Sequence, residues 1–162
     1  MYNLITVLKE EHQQILRFID SLEGKCIDLM ENNNIDYAAF REGIAFIREY
    51  ADRTHHQKEE QILFRVMTET LGPVAVNLIQ HGMLVEHDLA RLHVAELEQA
   101  LARFEANGDK TDKLCILANA MGYCYLLRRH IEKEDNVVYP YAEKNLSAEQ
   151  LAEINLIAQS FA

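Results

Sequence analysis

Apolar residues recur at helical spacing through four long stretches of the chain, and this periodicity restricts the fold more than any other feature. The stretches cover about residues 3–31, 36–70, 73–106 and 111–143. Short runs of helix-breaking residues separate them, at positions 32–34, 71–73 and 107–109. Helices of this length joined by short turns must pack antiparallel. We therefore predict an all-α fold, an up-down-up-down four-helix bundle.

A short fifth helix is expected after the fourth. Ser147 and Gln150 have the spacing of a capping box, which predicts a helix that continues to about residue 161. It could cap the bundle or mediate a dimer, so the sequence leaves monomer and homodimer open. The length of 162 residues is enough for one hydrophobic core, and no linker interrupts it. We therefore expect one helical domain over residues 1–162.

The composition excludes several classes of partner. A formal net charge of −10 argues against binding nucleic acid or an anionic membrane surface. No apolar run approaches the roughly 18 residues of a membrane span, and the N-terminal residues lack the apolar core of a signal peptide. The three cysteines form no C-x-x-C pair. We expect a cytoplasmic protein with no membrane or nucleic-acid partner.

Six ionisable residues fall on the apolar stripes, where a helix normally presents hydrophobic side chains to the core. Each lies three or four residues from apolar members of its stripe. The six are His12, His55, Glu59, His87, His130 and Glu134. Burying so many polar groups without partners would be very costly. The sequence therefore predicts that something in the core satisfies them.

The four histidines of this set are predicted to lie at one depth. His12 lies about as far before the end of its predicted helix as His55 lies after the start of the next. Similarly matched distances relate His55 to His87 and His87 to His130. At a rise of about 1.5 Å per residue in antiparallel helices, these matched positions put the four imidazoles in one layer.

An internal repeat supports the same grouping. Residues 55–64 read HHQKEEQILF and residues 130–139 read HIEKEDNVVY. Aligned without gaps, they share a His, a Lys-Glu pair, two aliphatic residues and a final aromatic residue. A His and a Glu four residues apart lie on the same helix face. Two such pairs and two further imidazoles supply four nitrogens and two carboxylates, which favours a site for two metal ions.

Mixed imidazole and carboxylate donors suit redox-active iron better than calcium or structural zinc. Two octahedral irons offer about twelve coordination positions. Four imidazoles, two bridging carboxylates and a bridging oxygen would leave about one open position on each iron. We therefore expect two iron ions with an oxo or hydroxo bridge as the cofactor.

At these residues the sequence resembles the hemerythrin-like (HHE cation-binding) domain family. The matching segments read EHQQIL, HHQKE, LVEHD and HIEKE, and the resemblance covers nearly the whole chain. It implies a four-helix bundle around a non-haem di-iron centre. It also implies that Glu59 and Glu134 are bridging carboxylates and that the histidines are terminal ligands.

Two departures from the oxygen-carrying members of this family affect the expectation. They have a second histidine one turn before the third-helix ligand, where this chain has Met83. They also have an aspartate five residues after the last histidine, where this chain has Glu134 at four. One nitrogen fewer predicts irons that are more open than those of the oxygen carriers.

Other residues compete for a role at the site. His56 and Glu60 have the same spacing as His55 and Glu59, but the residues around His56 are polar, so we predict His55 as the ligand. His56 is then an outer partner or an additional ligand. The remaining candidates are interpreted as lying outside the site, with His81 and His93 at the surface or between helices and Tyr123 as core packing.

The resulting hypothesis is a di-iron protein that binds or senses oxygen or a related diatomic, such as nitric oxide. One alternative is a di-iron enzyme that turns over peroxide or nitric oxide, or that contributes to iron-centre repair. Another is a metal-store or structural helical module. The sequence does not decide whether the protein is an enzyme. The ferritin-like alternative is excluded because no glutamate precedes a histidine by three residues.

Overall fold

The computed structural model describes residues 2–161, and 92% of these residues are helical with no strand among them. The limits of the predicted domain, residues 1 and 162, lie outside the described residues. The all-α prediction is therefore confirmed. We number five helices in chain order: α1 (Leu4–Asn32), α2 (37–70), α3 (72–107), α4 (110–145) and α5 (Ala148–Gln159).

The helices end where the sequence predicts breaks. Asn33 follows α1 and Gly108 follows α3, both with the left-handed backbone that stops a helix (φ of 52° and 65°). Leu71 separates α2 from α3, and Pro73 lies in the first turn of α3, where its missing N–H is not needed. The predicted capping box of Ser147 and Gln150 is present at the start of α5.

Contacts between neighbouring helices show that they run antiparallel. Arg41 and Arg48 of α2 pair with Glu105 and Glu98 of α3, respectively, so rising numbers in one helix meet falling numbers in the other. α4 is antiparallel to both α3 and α1. As residue numbers rise along α4, the numbers of the contacting residues fall along α3 and along α1. The arrangement is compatible with the predicted four-helix bundle.

The hydrophobic core is divided into two clusters. The upper cluster contains Ile15 and Ile19 of α1 and lies towards the turns at residues 33–36 and 108–109. The lower cluster contains Leu4 and Leu8 of α1 and lies towards the opposite end. On each of the four long helices, the predicted polar residues lie where one cluster gives way to the other. The core is thus interrupted by one polar layer.

The fifth helix packs against the lower cluster. Ile154 and Ala158 are buried in it, and Asn155 accepts a hydrogen bond from the backbone N–H of Leu4 at 2.8 Å. This contact ties α5 to the start of α1 and agrees with a capping role for α5. Within residues 2–161, the helices lack the combination of length and hydropathy that crossing a membrane requires.

Candidate metal centre

The structure brings all six predicted residues into the polar layer. Each is at most 1% exposed to solvent: His12, His55, Glu59, His87, His130 and Glu134. The helical periodicity predicted that these six residues face the core, and their role as metal ligands stays a prediction. The side chains come from four helices, and the apolar clusters above and below them shield the layer from water.

The ligand atoms form two groups, each compact enough to hold one metal ion. In each group, one donor atom per residue lies within 4.8 Å of every other. The first group is His12, His55, Glu59 and Glu134, and the second is His56, Glu59, His87 and His130. Glu59 belongs to both groups, so its carboxylate lies where two ions could share it.

Glu134 also spans the two groups. Its Oε1 lies 3.1 Å from Nε2 of His130, and its Oε2 lies 3.2 Å from Nε2 of His12. For Glu59, Oε2 lies 3.6 Å from Nε2 of His55 and 3.5 Å from Nε2 of His87. Both carboxylates thus face histidines of both groups.

His56 is the one member that the sequence placed on a polar face. It is instead 2% exposed and belongs to the second group, so the cluster holds five imidazoles rather than four. The cause is local: residues Ile47–His56 form a π-helical segment. Its i→i+5 hydrogen bonds put more residues into each turn than an α-helix has, so adjacent side chains diverge less and both His55 and His56 turn inward.

Further π-helical segments begin at the two glutamates of the site. Glu59 begins the segment Glu59–Leu63, and Glu134 begins the segment Glu134–Val138. A further such segment, Ile79–Met83, precedes His87 by one turn. Segments of this kind are frequent at functional sites. They indicate that the helices are locally widened to aim these side chains into the polar layer.

Each of the five histidines is oriented by an outer carboxylate. In every case Nδ1 lies next to a carboxylate oxygen, which leaves Nε2 directed to the centre. The distances are 2.9 Å for His12–Asp135, 3.0 Å for His55–Glu11, 3.3 Å for His56–Asp52, 2.7 Å for His87–Glu60 and 2.8 Å for His130–Glu86.

Basic residues hold four of these five carboxylates in turn. Lys58 pairs with Glu11, and Lys133 pairs with Glu86. Arg91 bonds to both Asp52 and Glu60, at 2.7 Å from each. The Lys-Glu pair of the sequence repeat is thereby explained: its glutamate enters the centre, and its lysine supports the carboxylate behind a histidine.

The arrangement is repeated at a constant offset in residue number. The histidine, lysine and glutamate in the first copy of the repeat (residues 55–64) make contacts that recur in the second copy (residues 130–139). The centre is therefore nearly two-fold symmetric. The matching pairs are Glu11 and Glu86, His12 and His87, His55 and His130, Lys58 and Lys133, and Glu59 and Glu134.

The polar atoms at the middle of the centre fit a bound cation. His56 Nε2, Glu59 Oε2 and both carboxylate oxygens of Glu134 are buried and have no hydrogen-bond partner among residues 2–161. Nε2 of His87 and Nε2 of His130 face each other at 3.0 Å. A metal ion at this position would satisfy these converging polar atoms.

The pKa values of Glu59 and His56 are shifted by burial and by the ionisable groups packed around them. Burial, and then the nearby charge of Glu134, raise the pKa of Glu59 well above its ordinary value. Burial and the neighbouring His87 lower the pKa of His56 to about 3, which keeps this imidazole neutral and able to bind a metal. Two adjacent carboxylates resist being charged together unless a cation lies between them.

Tyr139 is a buried member of the site that the sequence analysis did not single out, although it ends the second copy of the repeat. Its hydroxyl donates to Glu59 Oε1 at 2.5 Å and lies 3.3 Å from Nε2 of His12. Burial and the carboxylate of Glu59 raise its pKa, so the hydroxyl keeps its proton.

The residues that the sequence predicted to lie outside the site are not part of the cluster. His81 is exposed, and His93 lies between α3 and α4 with Nδ1 3.1 Å from Asn119 Oδ1. Tyr123 is core packing, as predicted, but its ring also lines a cavity of about 100 Å³ beside His56. Met83 is buried in the lower cluster and contributes no donor to either group.

A substitution of Glu11 tests whether the outer carboxylates support metal binding. We expect Glu11→Gln to weaken the affinity for metal by about 10- to 100-fold, because His55 loses the charged acceptor behind it. The affinity can be measured by competition with a chromophoric chelator. Glu10→Gln is the matched control, since Glu10 is adjacent and exposed. Equal affinities in the two variants would refute the supporting role of Glu11.

The fold and the site together define an all-helical protein with a buried histidine and carboxylate cluster suited to metal cations. Residues 3–142 match the family model described as Hemerythrin HHE cation binding domain. This match covers most of the chain, and the chain belongs to that family. A comparison with curated protein sequences gives no significant match.

Proposed function

We propose that this protein is a non-haem di-iron protein that binds or senses oxygen or a related diatomic, such as nitric oxide. The observation that carries the proposal is the pair of donor groups that share Glu59 and are spanned by Glu134. Imidazole and carboxylate donors in this mixture suit iron. The family establishes cation binding, and the two-fold arrangement supports two ions rather than one.

The two sides of the centre would hold their ions with different numbers of imidazoles. His12 and His55 serve one side, and His56, His87 and His130 serve the other, with both glutamates between them. When bound, two iron ions with an oxo or hydroxo bridge supply one-electron redox chemistry and an open coordination position. The fifth imidazole changes the expectation of about one open position on each iron. The three-histidine side would be filled, and the open position would lie on the two-histidine side.

The protein contributes orientation and the exclusion of water. The outer carboxylates fix the five imidazole rings, so little rearrangement is needed when an ion binds. Met83 and Leu127 are buried in the two clusters that border the polar layer. Such apolar walls favour a small neutral ligand and slow the access of water and protons.

The proposal is tested by loading the protein with iron, reducing it without oxygen and recording the absorption spectrum before and after exposure to air. We expect a new visible absorption that disappears under vacuum. Sustained consumption of peroxide with no reversible spectrum would instead support the enzyme alternative. A protein that takes up zinc but no iron would contradict both and leave a metal store or a structural module.

A further inference from the structure

The near two-fold symmetry of the centre is broken at two positions that bear on chemistry. His56 corresponds to Ile131, and Phe64 corresponds to Tyr139, at the same offset that relates the other pairs. His56 adds an imidazole to the side of His87 and His130. Ile131 is buried in the upper cluster and adds no donor to the other side. One side therefore has an additional nitrogen, and the other has an additional hydroxyl.

The two aromatic residues occupy equivalent places. The ring of Tyr139 stacks on His12 with centroids 5.6 Å apart, and the ring of Phe64 stacks on His87 with centroids 5.9 Å apart. Both side chains are at most 1% exposed. Since Phe64 has no polar atom, the pair differs only in the hydroxyl, which Tyr139 presents to the side with two histidines.

The hydroxyl of Tyr139 lies at the edge of the two-histidine side of the centre. Atoms bound to one metal at about 2.1 Å and at right angles lie about 3 Å apart. Tyr139 Oη is 3.3 Å from Nε2 of His12 and 2.5 Å from Oε1 of Glu59. The hydroxyl therefore lies beside one donor atom of the two-histidine side and beside the shared carboxylate of Glu59, within hydrogen-bond reach of a small ligand that binds next to His12.

We propose that Tyr139 determines which small ligands this centre retains, by donating a hydrogen bond to a ligand on the two-histidine side. The inference rests on the proposed function, because it requires a ligand at that side. The favoured ligands are small molecules with an acceptor atom that carries negative charge, such as azide or a partly reduced diatomic. In this structure the hydroxyl donates to Glu59 Oε1.

The test compares azide binding by three iron-loaded proteins: the wild type, Tyr139→Phe and the symmetry-related Phe64→Tyr. Azide affinity is measured by absorption, and the stretching frequency of bound azide is measured by infrared spectroscopy in H₂O and D₂O. We expect Tyr139→Phe to keep its iron, to bind azide about tenfold more weakly and to lose the shift between H₂O and D₂O. Phe64→Tyr should match the wild type, because its hydroxyl faces the side that three imidazoles fill.

Several results would overturn the inference. One is a Tyr139→Phe protein with wild-type azide affinity and an unchanged shift in D₂O. Another is a loss of iron from Tyr139→Phe, which would make Tyr139 a positioning residue for Glu59. A Phe64→Tyr protein that is altered as much as Tyr139→Phe would show that the two sides are not distinct. A wild type that holds iron but binds neither oxygen nor azide would overturn the proposed function as well, so the two failures can be told apart.

Discussion

Replacing Glu134 with alanine is expected to leave a folded protein that retains well below half of the wild-type iron. Glu134 is completely buried, and its two oxygens face histidines on both sides of the centre. Loss of this carboxylate removes a donor from each ion and also the negative charge that offsets two cations. Iron can be measured by elemental analysis after loading and desalting, with circular dichroism to confirm the helical fold.

Glu132→Ala is the matched control for this substitution. Glu132 lies two residues earlier on the same helix and is exposed, so its removal changes the net charge equally without touching the centre. We expect it to bind iron as the wild type does. A Glu134→Ala protein with the same iron content as Glu132→Ala would show that Glu134 does not bridge the ions.

Removal of the metal is expected to lower the melting temperature by about 10 °C or more. The metal-free core buries Glu59 and Glu134 beside five imidazoles, with several of their polar atoms unpartnered among the residues described. An ion present at about 100 times its dissociation constant stabilises the folded state by about 2.7 kcal/mol, and two ions by about 5 kcal/mol. For a chain of this size, about 1 kcal/mol shifts the melting temperature by about 2–4 °C.

Calorimetry of the loaded protein, the chelated protein and the chelated protein with iron restored measures this effect. Restored iron should return the original melting temperature, whereas the chelator should change Glu134→Ala little because that variant holds little iron. If chelation releases the iron of the wild type but leaves its melting temperature unchanged, the polar layer does not depend on a cation.

Much of the fold and of the centre could be predicted because both follow a period. The apolar stripes indicated the long helices, and the same stripes carried His12, His87 and the two His-Glu pairs of the repeat. A buried ionisable residue that falls on an apolar stripe at a shared depth is conspicuous in a sequence. Local periodicity was therefore sufficient for these residues.

The α-helical periodicity could not predict that His56 faces the centre, because its orientation depends on the π-helical segment Ile47–His56. The α-helical period assigns it to the outside of the helix. The outer carboxylates were missed for another reason. Glu11 meets His55 and Lys58 across 44 and 47 residues of sequence, which only tertiary packing brings together. The signal that could have found them is the constant offset of the internal repeat, which also relates Glu11 to Glu86.

The central claim is that two iron ions share the glutamates of one buried cluster. Mössbauer spectroscopy of protein loaded with ⁵⁷Fe and oxidised, combined with iron content per chain, tests it most directly. We expect about two irons per chain whose ferric spins are coupled, so that the oxidised protein has no net paramagnetism. One iron per chain with the magnetic spectrum of an isolated ferric ion would contradict the account.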